Sequence, residues 1–234
     1  MTTRYAILLR HGDYRQKPET PSALQPYGLT ESGKQQALDA GRELARMAED
    51  QGWRLSPEVF SSRQQRAWQT ATLMCQSLSE ASGLTLSVSE DEALAERGVG
   101  ALANLTLAEI EQVLADDPRH APPPGDWKSD SHYKLPVQGA ESLMEAGERV
   151  AAFLREKLGE PDERHPGANA RIFVGHGAAL RHAAHHLGVL EFEEIRRLSM
   201  YHAKPVVLKF GADGTWSHHC GAWKQRRSLE TAMD

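Results

Sequence analysis

Residues 4–14 read RYAILLRHGDY. A short apolar run that stops at a glycine reads as a buried strand. This one ends by delivering Arg10, His11 and Gly12 to a single spot. A charged pair at the end of a buried strand is costly to desolvate unless other groups hold it there. The reading of the chain therefore turns on which other segments supply those partners.

Working outward, strands and helices alternate. After the proline-bearing stretch RQKPETPSALQPYG, a helix is expected with Thr30 as its cap, Leu38, Gly41, Leu44, Ala45 and Ala48 on one face, and Gly52 at its end. PEVFSS (57–62) reads as a second strand, followed by a helix from about Gln64 to Leu78, and LTLSVS (84–89) as a third strand. The segment 116–138 is rich in Pro, Asp and Ser and has no periodicity, as in a lid or flap. Leu143, Ala146, Val150, Phe153, Leu154 and Leu158 mark a helix over 140–158. RIFVGHG (171–177) repeats the opening theme, AALRHAAHHLG follows as a helix closed by Gly188, and KPVVLKF (204–210) reads as a late strand. KQRRSLETAMD forms a polar tail.

This alternation predicts a three-layer α/β/α sandwich with a central, mostly parallel sheet. A single domain over 1–234 is expected, with a lid insertion around 97–138 folded over the site. In such a sheet, ligands bind outside the carboxyl ends of the strands. That rule brings Arg10 and His11 from the first strand, Ser62 and Arg66 from the second, and His176 from VGHG to one place. Two arginines and two histidines near helix N-termini suit an anion, most naturally phosphate.

Composition narrows the partners. The 234 residues are 40% hydrophobic and 25% charged, with a net charge of -5, which argues against nucleic acid or an anionic membrane as the main partner. The two cysteines, Cys75 and Cys220, make no disulfide framework, and the apolar run YAILL is too short for a signal core, so a cytoplasmic setting is expected. Homo-oligomerisation is left open. His182 and His186, at i and i+4, have a spacing that can ligate zinc, and HHC (218–220) lies further on, but no Glu or Cys ligand sits within the first motif.

LLRHG, SSRQQRAWQTA, ALAERGVGALAN, GAESL with Arg149, and VGHGAALR, in that order, resemble the histidine phosphatase superfamily, its phosphoglycerate mutase-like branch. The resemblance implies that His11 is a nucleophile forming a phosphohistidine, its Nδ1 proton fixed by the carbonyl of the following glycine. It implies that Arg10, Arg66 and His176 hold the phosphoryl oxygens, with Ser62, Arg97 and Gly177 as further substrate-binding residues. Glu96 matches the proton donor, with Asp13 as a second acid candidate. Neither metal nor cofactor is implied. The expected activity is hydrolysis of a phosphomonoester, on a small molecule or a phosphoprotein. The alternatives are a phosphoglycerate mutase-type isomerase and a non-catalytic phospho-ligand binding protein. The chain departs from the family pattern at DYRQK after RHG, at GALAN, and at Gln64, where a leucine is usual.

Overall fold

The computed structural model describes residues 3–159, 162 and 164–226. Strand β1 (Arg4–Arg10) is buried along most of its length. Helix α1 (Glu31–Gln51) starts at Thr30, whose Oγ1 accepts from the Gly33 amide, and ends at Gly52 in the left-handed region, φ 65°. Then follow β2 (Leu55–Ser62), α2 (Gln65–Ser82), β3 (Ser87–Asp91), α3 (Leu107–Asp116), α4 (Leu143–Gly159), β4 (Ala170–Gly175) and α5 (Gly177–His186). The described chain closes with α6 (Phe192–Arg197), β5 (Leu198–Ser199), β6 (Pro205–Phe210), β7 (Trp216–Cys220) and β8 (Lys224–Gln225).

The main sheet runs β3-β2-β4-β1-β6-β7. β3, β2, β4 and β1 are parallel, β6 is antiparallel to β1, and β7 is antiparallel to β6. Because strand side chains alternate, Ile7 and Leu9 face one way and Ala6 and Leu8 the other. The first pair packs with Leu44, Ala71 and Met74 of α1 and α2; the second packs with Val150, Leu154 and Leu180 of α4 and α5. Both faces of the sheet are covered, and the fold is the expected α/β sandwich. Leu8 and Leu9 are fully buried, so truncating either to alanine is expected to cost about 2–5 kcal/mol.

Register then does the positioning. Arg10 pairs with Gly175 across β1 and β4, and Ser61 with Val174 across β2 and β4. The three parallel strands therefore end level. His11, Ser62 and His176, each at or just past a strand end, emerge side by side.

The insertion differs from its expected form. Residues 117–142 contain no helix or strand beyond an isolated bridge at Ala140, but α3 lies before them, opened by a reciprocal capping pair of Thr106 and Glu109. Its buried side chains, Ile110 and Leu114, join Val99, Leu102, Leu135 and a fully buried Trp127 in a small core of their own. Ala23, from the loop after β1, belongs to that same core. Strand β7 and helix α6 were also not anticipated. The exposed WSHHC edge strand shows no apolar alternation, and α6 spans only six residues. The start of the polar tail is ordered: Lys224 and Gln225 pair with Ser199 and Leu198. Residues 227–234 of the tail lie outside the described residues.

Candidate active site

The loop leaving β1 is anchored from below. Thr70 of α2 accepts from the Gly12 amide at 2.9 Å and donates to the Arg66 carbonyl at 2.7 Å. His11 Nδ1 donates to the Gly12 carbonyl at 2.8 Å. A carbonyl can only accept, so the proton sits on Nδ1 and the Nε2 lone pair is left available. Burial pushes the proton affinity of His11 well below the usual histidine value, and Arg66, His176 and Arg10 add to that effect; the Gly12 carbonyl opposes it. The ring is held neutral.

His176 is fixed in the complementary way. Arg66 Nη2 donates to its Nδ1 at 3.2 Å, so Nε2 carries the proton and donates to Ser62 Oγ at 3.0 Å. Burial, then Arg66 and Arg10, lower its proton affinity well below the usual value. The His11 and His176 rings lie 5.2 Å apart, centroid to centroid. Arg10 reaches the Met200 carbonyl at 3.2 Å, and Gly177 lets it pass close to α5, since a Cβ there would meet Arg10 Cδ at 3.0 Å.

Arg66 is fully buried, and its donors are largely engaged by the loop after β1: Nη1 to the Gln25 carbonyl, Nη2 to those of Ser22 and Ala23. Its guanidinium also lies 4.7 Å over the Tyr14 ring. His11 is 1% exposed and Ser62 and His176 are 0% exposed, so this loop covers the cage. Ala23 ties that cover to the insertion core.

Glu96 is buried, and its Oε1 accepts from the Arg97 amide at 2.9 Å and from the Ala179 amide in the first turn of α5 at 3.2 Å. It acts electrostatically on Arg66 and Tyr14. Arg97 is placed elsewhere, with its guanidinium 6.0 Å from the Trp127 ring centroid. Asp13 is engaged with α1: its Oδ2 accepts from Thr30 Oγ1 at 2.7 Å at the start of that helix. The His182 and His186 pair is spent on structure. His182 Nδ1 donates to the Ala178 carbonyl and its Nε2 accepts from Ser131, while His186 bonds Met144 and Glu148. Among the described residues no cluster of three His, Cys, Asp or Glu side chains could hold a metal ion.

Three neighbours of the cage escaped the sequence reading. Tyr14 sets its ring edge-on to His11 at 5.2 Å and bonds Ser22 through its hydroxyl. His202 places a third imidazole 5.7 Å from His11, on a segment joined to β1 by the Ala203 amide and the Arg10 carbonyl. Gln64 links three parts: Oε1 accepts from Arg66 and from the Glu96 amide, and Nε2 donates to the Ala23 carbonyl. Only Gln64 carried a signal, as a polar residue where the family has leucine.

A buried neutral imidazole, two arginines and a second imidazole gather at the ends of the parallel strands. The chain belongs to the histidine phosphatase superfamily, branch 1, whose family model matches residues 6–222. It is 31% identical over 214 residues to a 2,3-bisphosphoglycerate-dependent phosphoglycerate mutase of a Chelativorans species, covering 89% of this chain and 93% of that one. The corresponding mutase of Rhizobium meliloti is 29% identical over 89% of this chain and 91% of its own. Among solved structures, a mycobacterial glucosyl-3-phosphoglycerate phosphatase superposes with a TM-score of 0.66 at 24% identity, covering 92% of this chain and 97% of that one. No described helix is long and apolar enough to cross a membrane.

Proposed function

We propose that the protein moves a phosphoryl group from a phosphomonoester to His11 Nε2 and from there to water. The observation that carries this reading is the neutral His11 ring, its lone pair aimed away from the Gly12 carbonyl into a cage made by Arg10, Arg66 and His176. The phosphorus–oxygen bond to the leaving group breaks as the bond to Nε2 forms, and the two arginines neutralise charge on the phosphoryl oxygens. His176 adds its Nε2 proton beside Ser62. Glu96 protonates the leaving oxygen and then takes a proton from the attacking water. Arg66 must exchange the carbonyls of Ser22, Ala23 and Gln25 for phosphoryl oxygens, so the loop after β1 yields when substrate enters.

Water as acceptor is favoured by the charge of the insertion. Residues 97–138 hold six carboxylate side chains against four Lys and Arg, a poor surface for a bisphosphate primer. The second reading, an isomerase that returns the phosphoryl group to its substrate, draws support from the mutase relatives. A panel of phosphomonoesters separates the two: inorganic phosphate is expected without any bisphosphate primer, and 3-phosphoglycerate is expected to isomerise poorly. Fast, primer-dependent isomerisation with little free phosphate overturns hydrolysis in favour of the mutase.

A further inference from the structure

Gln64 stands at the N-cap of α2, yet its side chain makes no capping bond. It serves three other parts of the protein instead. Nε2 donates to the Ala23 carbonyl at 2.6 Å, while Oε1 accepts from Arg66 Nη2 at 3.3 Å and from the Glu96 amide at 3.4 Å. A guanidinium and a backbone amide can only donate, and a carbonyl can only accept. The orientation of the Gln64 amide is therefore fixed: oxygen towards Arg66 and Glu96, nitrogen towards the cover.

The cover itself is braced from within. Gln25 Oε1 accepts from the Lys17 amide at 2.8 Å, its Nε2 donates to the carbonyls of Thr20 and Pro21, and Gln16 also donates to Thr20. These bonds tie residues 16–25 into one piece. On its outer side the piece meets the insertion, where the Leu107 amide donates to the Glu19 carbonyl and Lys17 Nζ to the Asn104 carbonyl. Against the cage it is held by Arg66, by the Tyr14 and Ser22 hydroxyls, and by Gln64. The Arg66 bonds can be exchanged, because phosphoryl oxygens accept from the same guanidinium and with more charge. The Gln64 bond is of another kind. It joins the cover to the start of α2 through a neutral donor, and opening the cover breaks it without that compensation.

We propose that Gln64 is a positioning residue that latches the loop after β1 over the empty cage, so that a phosphorylated ligand binds against the latch. The closed form competes with the ligand, and apparent affinity is reduced to the extent that molecules are closed. One neutral hydrogen bond corresponds to a factor of about three to ten. The phosphorylated ligand rests on the phosphoryl-transfer reading; the latch does not.

Gln64→Leu keeps the size of the side chain and removes all three bonds. On the full chain, inorganic phosphate measured by calorimetry is expected to bind the variant about threefold to tenfold more tightly than the wild type. KM for p-nitrophenyl phosphate should fall by a similar factor, with kcat/KM rising through KM. Hydrogen exchange in peptides spanning 15–28 should quicken, while peptides from β1 and β4 keep wild-type protection. A side chain that merely supported the fold would weaken phosphate binding when removed. Gln64→Glu covers a leucine variant that fails to fold. Its carboxylate still accepts from Arg66 and the Glu96 amide but opposes the Ala23 carbonyl, so exchange over 15–28 should quicken while its charge on Arg66 weakens phosphate binding. Wild-type exchange over 15–28 in the variants overturns the proposal, as does phosphate affinity in Gln64→Leu that is unchanged or weaker. If the wild type neither binds phosphate nor releases it from p-nitrophenyl phosphate, the reading of His11 fails instead, and exchange over 15–28 alone decides the latch.

Discussion

Two pairs of histidines make an instructive contrast. His11 and His176 stand at the ends of parallel strands, while His182 and His186 stand one turn apart on α5. His11, His176 and His182 are all buried, with proton affinities lowered chiefly by burial. The difference lies in what surrounds them. His11 keeps Nε2 free of any bond to the backbone and faces Arg66, Arg10 and His176. His182 and His186 use both ring nitrogens on the protein itself. Spacing alone, the property that made the α5 pair resemble a metal site, says nothing about which lone pairs remain available.

The contrast is broken most directly at His11. His11→Ala is expected to lower turnover by ~10³-fold or more and to abolish an acid-labile, base-stable phosphoenzyme, since the neighbouring His176 has its Nδ1 lone pair engaged by Arg66. Near-normal turnover in that variant would move the chemistry elsewhere. The next largest effect is expected at Glu96. Glu96→Gln should slow alkyl phosphates by about 10²-fold or more, and activated aryl phosphates far less, because a proton donor matters in proportion to the basicity of the leaving oxygen. Equal losses on both substrate types would leave Glu96 only its contacts to the Arg97 and Ala179 amides.

Arg66→Gln probes the link between the cage and its cover. Loss of one donor to the transferring group is expected to lower kcat by about 10²–10³-fold. The carbonyls of Ser22, Ala23 and Gln25 would also lose a charged partner, at a cost of about 1–3 kcal/mol for each group left buried and unsatisfied. Thermal unfolding and steady-state kinetics on the same preparation separate the two. A variant that loses activity without losing stability would mean that the loop finds other partners.

How much of this was legible in the sequence follows from the same physics. Strands β1, β2, β3, β4 and β6, the helices α1, α2, α4 and α5, and the convergence of Arg10, His11, Ser62, Arg66 and His176 were readable, because short apolar runs bounded by turn residues set where a buried strand stops. Register then placed the residues after them. Asp13, ranked behind Glu96 as the acid, could not be placed from its sequence position: one residue past Gly12, its carboxylate accepts from Thr30 at the start of α1. For Arg97 the sequence offered substrate binding or pairing with the acidic run before it; its place 6.0 Å from the Trp127 ring depends on the packing of the insertion core, which no local pattern shows.

The smallest expected effect belongs to the other histidine pair and appears as stability. Burial, with Arg181 beside it, holds the His182 proton affinity down from 6.5 to about 3, despite the bond to the Ala178 carbonyl. As pH falls below about 6.5 the unfolded chain takes up a proton that folded His182 refuses, so stability is fully present above that pH and is lost progressively towards about 3. His11 and His176 add to the same loss, since both are lowered as well. His182→Gln removes one of these protons. Denaturant unfolding between pH 6.5 and 4.5 should show a slope shallower than wild type by up to about 1.4 kcal/mol per pH unit, at a cost near neutrality of about 1–2 kcal/mol from the altered bonds to Ala178 and Ser131. Turnover should change far less than in His11→Ala, and EDTA should leave it unchanged in both wild type and variant. An unaltered pH slope would mean that His182 titrates normally in the folded protein. Loss of activity on chelation, restored by zinc and absent in His182→Gln, would mean that its ring nitrogens serve a metal and that the two histidine pairs are more alike than their surroundings indicate.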